Sequence, residues 1–149
     1  MDNACAARAL LATAETGPLA TLALNGHPFV SFVTLALDGD GTPTFLISKL
    51  ALHTQNLLRD GRASLLLRAT ERSQDPLAEH RLTLIGSARQ TQSTTARVCF
   101  LKRHPTAAQY VDFADFGFFA LAVEKAHFIA GFGRIEELLA ADILPDQGA

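Results

Sequence analysis

The chain has 149 residues, 48% hydrophobic and 19% charged, which supplies apolar material for one buried core and too little length for two ordinary domains. Its formal net charge is -2 and its thirteen basic residues are scattered rather than gathered in a stripe, which excludes a surface built to follow a nucleic-acid backbone. No stretch reaches the roughly 18 consecutive apolar residues of a membrane span, and no basic segment precedes an apolar run at the N-terminus, so a soluble cytoplasmic protein is expected.

Residues 3–14, rich in Ala and Leu, predict a helix capped by Asn3 and stopped by Gly17-Pro18. LATLAL (19–24), FVSFVTLAL (29–37) and TFLIS (44–48) have strand lengths and β-branched or aromatic content, punctuated by Asn25-Gly26 and by Asp38-Gly39-Asp40-Gly41. An antiparallel meander is the simplest construction. A short helix follows at 53–60, then strands RASLLLRA (62–69) and RLTLIGSARQ (81–90) on either side of a polar loop containing Asp75-Pro76. The run 93–103 predicts a helix with Val98, Phe100 and Leu101 turned inward, and Pro105 starts a helical turn. FGFFALAVEKAHFIAGFG (116–133) divides into two strands about Glu124-Lys125, and RIEELLAADIL closes the chain as a helix or tail. Six or seven strands with a few short helices favour a small closed or half-closed β-barrel.

Several chemistries leave no signature. There is no GxSxG elbow, no GxxxxGK[ST] loop and no HExxH, and the GFG at 131–133 is only a fragment of a dinucleotide fingerprint that follows a strand ending the barrel. Cys5 and Cys99 stand far apart without a Cys/His cluster, and both are expected to be reduced. The histidines at 27, 53, 80, 104 and 127 form no paired ligand motif; His80 and His127 are conceivable single ligands for a haem iron, while a structural role is the commoner fate of a lone histidine. Asp112 and Asp115 read as residues that end a helical turn rather than as an acid–base pair. Phe113, Phe116, Phe118, Phe119, Phe128 and Phe132 read as barrel core and dimer interface.

Gly26-His27-Pro28, the strand FVSFVTLAL, the DGDG turn, TFLIS and LALHTQNLLRDGRASLLL together resemble the flavin-binding split barrels of the pyridoxamine 5′-phosphate oxidase superfamily. The order LATL, SKLALHTQNL, RASLLL, DPLAEHRLTLIGSA, FLKRHP, YVDFADFGFFALAV and AGFG is similar to its haem-utilisation-related branch, from about Gly17 to Arg134. The resemblance implies a mainly β fold with short α-helices, a split β-barrel. Residues 1–149 would form a single domain, with an N-terminal helix at about 3–14 and a C-terminal helix or tail at about 135–149.

It further implies a homodimer with cofactor at the subunit interface, and an FMN-dependent oxidoreductase acting on a small molecule. Ser31, Phe32, Val33 and Thr34 would lie beside the flavin, and Ser48, Lys49, His53, Thr54, Gln55 and Asn56 would hold its phosphate, as free amides at a helix start favour an anion. Arg81 and Thr83, with Gly131, Phe132, Gly133 and Arg134, correspond to segments near the interface, where Arg81 would also contact the cofactor. The family usually places Arg or Lys where this chain has His53, Thr54 and Gln55, which leaves Lys49 and a protonated His53 as sources of charge. Ser31 and Ala36 stand where the oxidases carry cations, which argues against pyridoxamine phosphate oxidation. The alternatives are a haem-binding or haem-degrading protein of the related branch, whose fuller members carry an additional C-terminal domain, and a non-catalytic dimeric binding protein that has lost FMN. Read without the resemblance, the start of the 53–60 helix is first an ordinary turn capped by Thr54 or Asn56, and Lys49 and Arg81 are equally solvated charges.

Overall fold

Asn25-Gly26 makes the first reversal. Gly26 takes φ +84°, a left-handed conformation that side chains disfavour, and the Asn25 carboxamide accepts from the His27 amide at 3.0 Å. This hairpin joins β1 (Thr16–Leu22) to β2 (Pro28–Thr34). The Asp38–Gly41 turn then joins β3 (Ala36–Leu37) to β4 (Pro43–Ser48), with Asp38 and Asp40 accepting from the Gly39 and Thr42 amides at 2.7 and 2.9 Å. The computed structural model describes residues 2–144, so the end of the expected C-terminal helix or tail, 145–149, lies outside the described residues.

The remaining elements are α1 (Asn3–Thr13), α2 (Leu52–Arg59), β5 (Arg62–Arg68), β6 (Arg81–Gln90), α3 (Thr94–Arg103), β7 (Phe116–Ile129), β8 (Ile135–Leu139) and α4 (Ala140–Ile143). Short 3-10 turns lie at Pro76–Ala78 and Pro105–Gln109. All strand pairs are antiparallel, in the order β2-β1-β5-β6-β7-β4-β3. β8 lies beside the second half of β7, whose first half pairs with β4. β2 and β3 stand at opposite ends of this order yet are separated in the chain by Leu35 alone. The sheet must therefore curl until its two edges meet, which makes the expected half-closed barrel.

Strand alternation puts Leu19, Leu65, Leu67, Leu82, Leu84, Leu121 and Phe128 inside, and Phe45 and Phe119 join them. Each such side chain contributes about 1.5–3 kcal/mol on burial. α1 closes one opening with Ala6, Ala7, Leu10 and Leu11, and a second cluster under α3 gathers Phe100, Leu46, Ala107 and Val111.

Several sequence expectations need correction. Asp2, not Asn3, caps α1 by accepting from the Cys5 amide at 2.7 Å, while Asn3 donates to Glu136 at 2.7 Å. Gly17-Pro18 does not stop that helix but lies within β1. FVSFVTLAL breaks at Leu35 because two opposite sheet edges share it, and only β5 to β8 run as a simple meander. Residues 116–129 form one strand, and Glu124-Lys125 marks a bulge: Ile85 pairs with Lys125 and Gly86 with Val123, leaving Glu124 without an opposite number. RIEELLAADIL becomes β8 and α4, because β7 supplies a free edge that local helical preference cannot outweigh. Val98 is 66% exposed rather than inward, whereas Phe100 and Ala96 are buried and Leu101 packs against the same cluster as expected.

Beside the bulge, a Cβ on Gly86 would run into the Ala122 carbonyl oxygen and crowd Val123. Gly86→Ala is expected to lower stability by about 1–3 kcal/mol, seen as a lower urea midpoint at unchanged slope. An unchanged midpoint would show that β6 and β7 part there without cost.

Candidate functional site

Ser48 ends β4, and its hydroxyl is already engaged, donating to Asp115 at 2.7 Å and accepting from the Leu50 amide at 3.1 Å. The Lys49 amide donates to the Asp115 carbonyl at 2.6 Å while the residue itself is exposed. Asp115 thus tethers the strand end and sets a carboxylate beside any anion bound there. α2 then begins after Ala51, and no side chain caps it. The capped-turn reading is therefore corrected: Asn56 is fully buried, donating to Thr21 Oγ1 at 3.1 Å and accepting from Arg59 at 3.1 Å, and Thr54 caps nothing. The first amides of α2 stay open in the manner of a helix start that receives an anion.

Four buried side-chain atoms have no hydrogen-bonding partner among the described residues: Ser31 Oγ, His53 Nε2, Thr54 Oγ1 and Arg81 Nε. All four belong to residues that the resemblance assigned to cofactor binding. An orphaned buried polar atom costs about 1–3 kcal/mol, so their grouping on those residues marks places where the chain favours something other than its own tightest packing. Ser31, His53 and Thr54 fall on neighbouring elements, since α2 packs on β1 and β2. Burial holds the His53 imidazole below its ordinary value, so it is neutral at pH 7 and Lys49 is left as the source of positive charge at this helix start.

The other assigned residues divide. Gln55 is exposed and, with Leu24, Leu52, Asn56 and Arg59, lines a cleft of about 490 Å³. Val33 is buried in the core, with Thr34 half-buried beside it. Phe32 points the opposite way and is 71% exposed. Arg81 opens β6 opposite Arg68 and Ile129, whereas α2 binds Thr21 and Leu22 at the far end of β1, so a single chain does not bring Arg81 to α2.

Arg81 belongs instead to the outer face of the sheet. There the register sets Phe32 against Pro18, Leu66 against Thr83, Thr83 against His127 and His127 against Glu137. Arg68 and Arg81 pair one register step away on the same face. Phe32, Pro18, Leu66, Arg68 and Arg72 also line a cleft of about 400 Å³. Buried Glu79 steadies its rim: it accepts from Arg68 at 3.0 Å and from the Ser73 amide at 2.7 Å, and these contacts hold its carboxyl below the usual range. Sequence reasoning passed over Arg68 and Arg72, although the alternation in RASLLLR places Arg62, Ser64, Leu66 and Arg68 on one face. Among the described residues no three His, Cys, Asp or Glu side chains gather into a metal site, and no helix is long and apolar enough to cross a membrane.

Because His53 is neutral in the fold, the unfolded chain binds a proton that the folded chain resists below about pH 6.5. Stability is therefore intact above that pH and declines as pH falls from it toward the depressed folded value. His53→Gln is expected to flatten this decline in urea melts compared at pH 7 and pH 5. An equally steep decline in the variant would remove His53 as its cause.

The sequence matches the family described as "CREG, beta-barrel" over residues 1–144. The chain is 34% identical over 110 residues to the non-canonical heme oxygenase HOZ, chloroplastic, of Arabidopsis thaliana, covering 72% of this chain and 33% of that protein. A heme binding protein from Mycobacterium smegmatis superposes with a TM-score of 0.90 at 34% identity, covering 96% of this chain and 60% of that one. A protein of unknown function from Agrobacterium tumefaciens, Atu2129, gives 0.83 at 28% identity over the same shares. The chain thus spans about a third of the plant relative and three-fifths of the two bacterial ones. The split-barrel architecture and the haem-utilisation neighbourhood expected from the sequence both hold, and by the match to nearly all of its length the chain belongs to the CREG beta-barrel family.

Proposed function

We propose that the protein binds haem on the outer face of its sheet, as a homodimer in which that face is the contact between subunits. The observation that carries this reading is the composition of the face. Phe32, Val30, Leu66 and Ile129 give it an apolar floor, Arg68 and Arg81 border it, and His127 stands within it. A haem needs those three things: apolar surface for the macrocycle, cations for its carboxylates and a ligand for iron. The residues therefore fit the group. When bound, haem would supply its iron's redox and ligand chemistry, while this chain would orient it and exclude water. The names of the mycobacterial and plant relatives support the same ligand. Val30 and Phe32, 62% and 71% exposed on the edge strand β2, support burial against a second copy.

FMN is the second reading, favoured by the open amides of α2 and the unpartnered Thr54 hydroxyl. Asp115 beside Ser48 and the neutral His53 count against a dianionic phosphate there, and the plant and mycobacterial relatives are named for haem rather than flavin.

Haemin and FMN titrations of the purified chain, each followed by gel filtration with mass measurement, separate the two. Retained haem at about one per subunit on a dimer is expected, with FMN lost. Retained FMN and unbound haem would reverse the assignment. Thr54→Val replaces an orphaned hydroxyl by a methyl and is expected to stabilise the free protein by about 1 kcal/mol without altering haem retention; a fall in FMN retention in this variant would locate a phosphate at α2.

A further inference from the structure

We infer that His127 ligates the iron of bound haem, that Glu137 positions its imidazole, and that Arg81 and Arg68 receive the haem carboxylates; this rests on the haem-binding reading above. The five histidines separate by where they stand. His27 lies in the β1–β2 turn, outside both strands, where its carbonyl accepts from the Ala23 amide at 2.9 Å. His53 is on α2, with its Nε2 buried. His80 is half-buried with its ring edge-on to Phe128 at a centroid distance of 5.5 Å, and Phe128 is core. His104 Nε2 donates to the Leu35 carbonyl at 2.7 Å and is already engaged. His127 alone is an exposed imidazole on the outer face of the strands, between Thr83 on β6 and Glu137 on β8.

The neighbours of His127 suit ligation. A metal-binding histidine ordinarily gives its second ring N–H to a carboxylate, which fixes the tautomer and ring orientation. Glu137 is the direct cross-strand partner of His127, and Lys125 Nζ holds one of its carboxylate oxygens at 3.3 Å. Two residues along β6 from Thr83, on the same face, is Arg81, whose Nε is buried without a partner and whose Nη2 donates to the Leu77 carbonyl at 3.2 Å. Arg68 lies opposite Arg81 on β5. With strands about 4.8 Å apart and residues about 3.3 Å apart along them, the backbone of Arg81 stands roughly 8 Å from that of His127. That separation suits a flat ligand with a central metal and charged groups at one rim. Leu66, Ile129 and Ile135 supply apolar surface beside the imidazole.

The test is haemin titration of the full chain, with resonance Raman of the reduced complex to read the iron–histidine vibration. Wild type is expected to show that band. His127→Ala is expected to lose it, bind haem at least tenfold more weakly and regain a nitrogen-ligated spectrum with added imidazole, while His80→Ala keeps the band. Glu137→Gln is expected to keep the ligand but shift the band's frequency. Arg81→Gln is expected to weaken haemin binding severalfold with the band unchanged, and to bind haem dimethyl ester, whose carboxylates are blocked, as wild type does. An intact iron–histidine band in His127→Ala overturns the ligand assignment while leaving haem binding standing. A wild-type chain that takes up no haem overturns the preceding reading, and this inference with it.

Discussion

Leu35 is the one residue between β2 and β3, and those strands stand at opposite edges of the sheet. A flat sheet cannot satisfy that connection, so curvature follows from a covalent constraint rather than from packing alone. The junction is secured on both sides of the chain: the Leu35 amide donates to the Glu15 carbonyl at 2.9 Å and its carbonyl accepts from His104 Nε2 at 2.7 Å, while the side chain is fully buried. A buried backbone group left unpaired there would cost about 1–3 kcal/mol, so the tether from α3's end also protects the closure. The Glu124 bulge beside Gly86 adds local twist on the far side of the sheet, where β7 passes from β4 to β8.

Once the sheet curls, its two faces acquire different chemistry. The inner face is crowded with leucine and phenylalanine, and its polar exceptions are answered, as Asn56 is by Thr21 and Arg59, or conspicuously left open, as Thr54 is. α3 covers the outer face of β4 and the first half of β7 with Phe100, but the outer face over β1, β2, β5 and β6 is left bare, because α1 and α2 are spent on closing the inner side. It keeps exposed apolar residues and well-placed charges together, an arrangement that favours a ligand or a second copy over water.

How much of this was legible depended on whether local chemistry set the outcome. β6 appears at its expected bounds, Arg81–Gln90, because alternation from Arg81 to Ala88 fixes both period and face. The turns at Asn25-Gly26 and Asp38–Gly41 were equally plain, since their residues serve those backbone angles and Asx hydrogen bonds directly. Leu35, Glu124 and RIEELL were not. Each owes its conformation to a strand distant in sequence: the opposite edge for Leu35, Ile85 and Gly86 for Glu124, and β7 for RIEELL. The site shows the same division. The resemblance singled out Ser31, His53, Thr54 and Arg81, but which of them would be buried and unpartnered is a property of assembled tertiary structure. Arg68 and His127 gain their meaning only when register places them on one face.

That register also bears on why the two ends of the assigned set never meet within a chain. Arg81 and α2 lie at opposite ends of the strands that connect them, and a rigid, hydrogen-bonded sheet has no hinge by which to bring them together. A ligand touching both would have to draw one of them from a second subunit. A ligand seated on the outer face needs no such reach, because Arg68, Arg81 and His127 are held within two neighbouring register steps of three adjacent strands. Preorganisation by backbone pairing lowers the ordering cost of binding, and on this fold it supports the proposal of the outer face over the α2 junction for a large planar ligand.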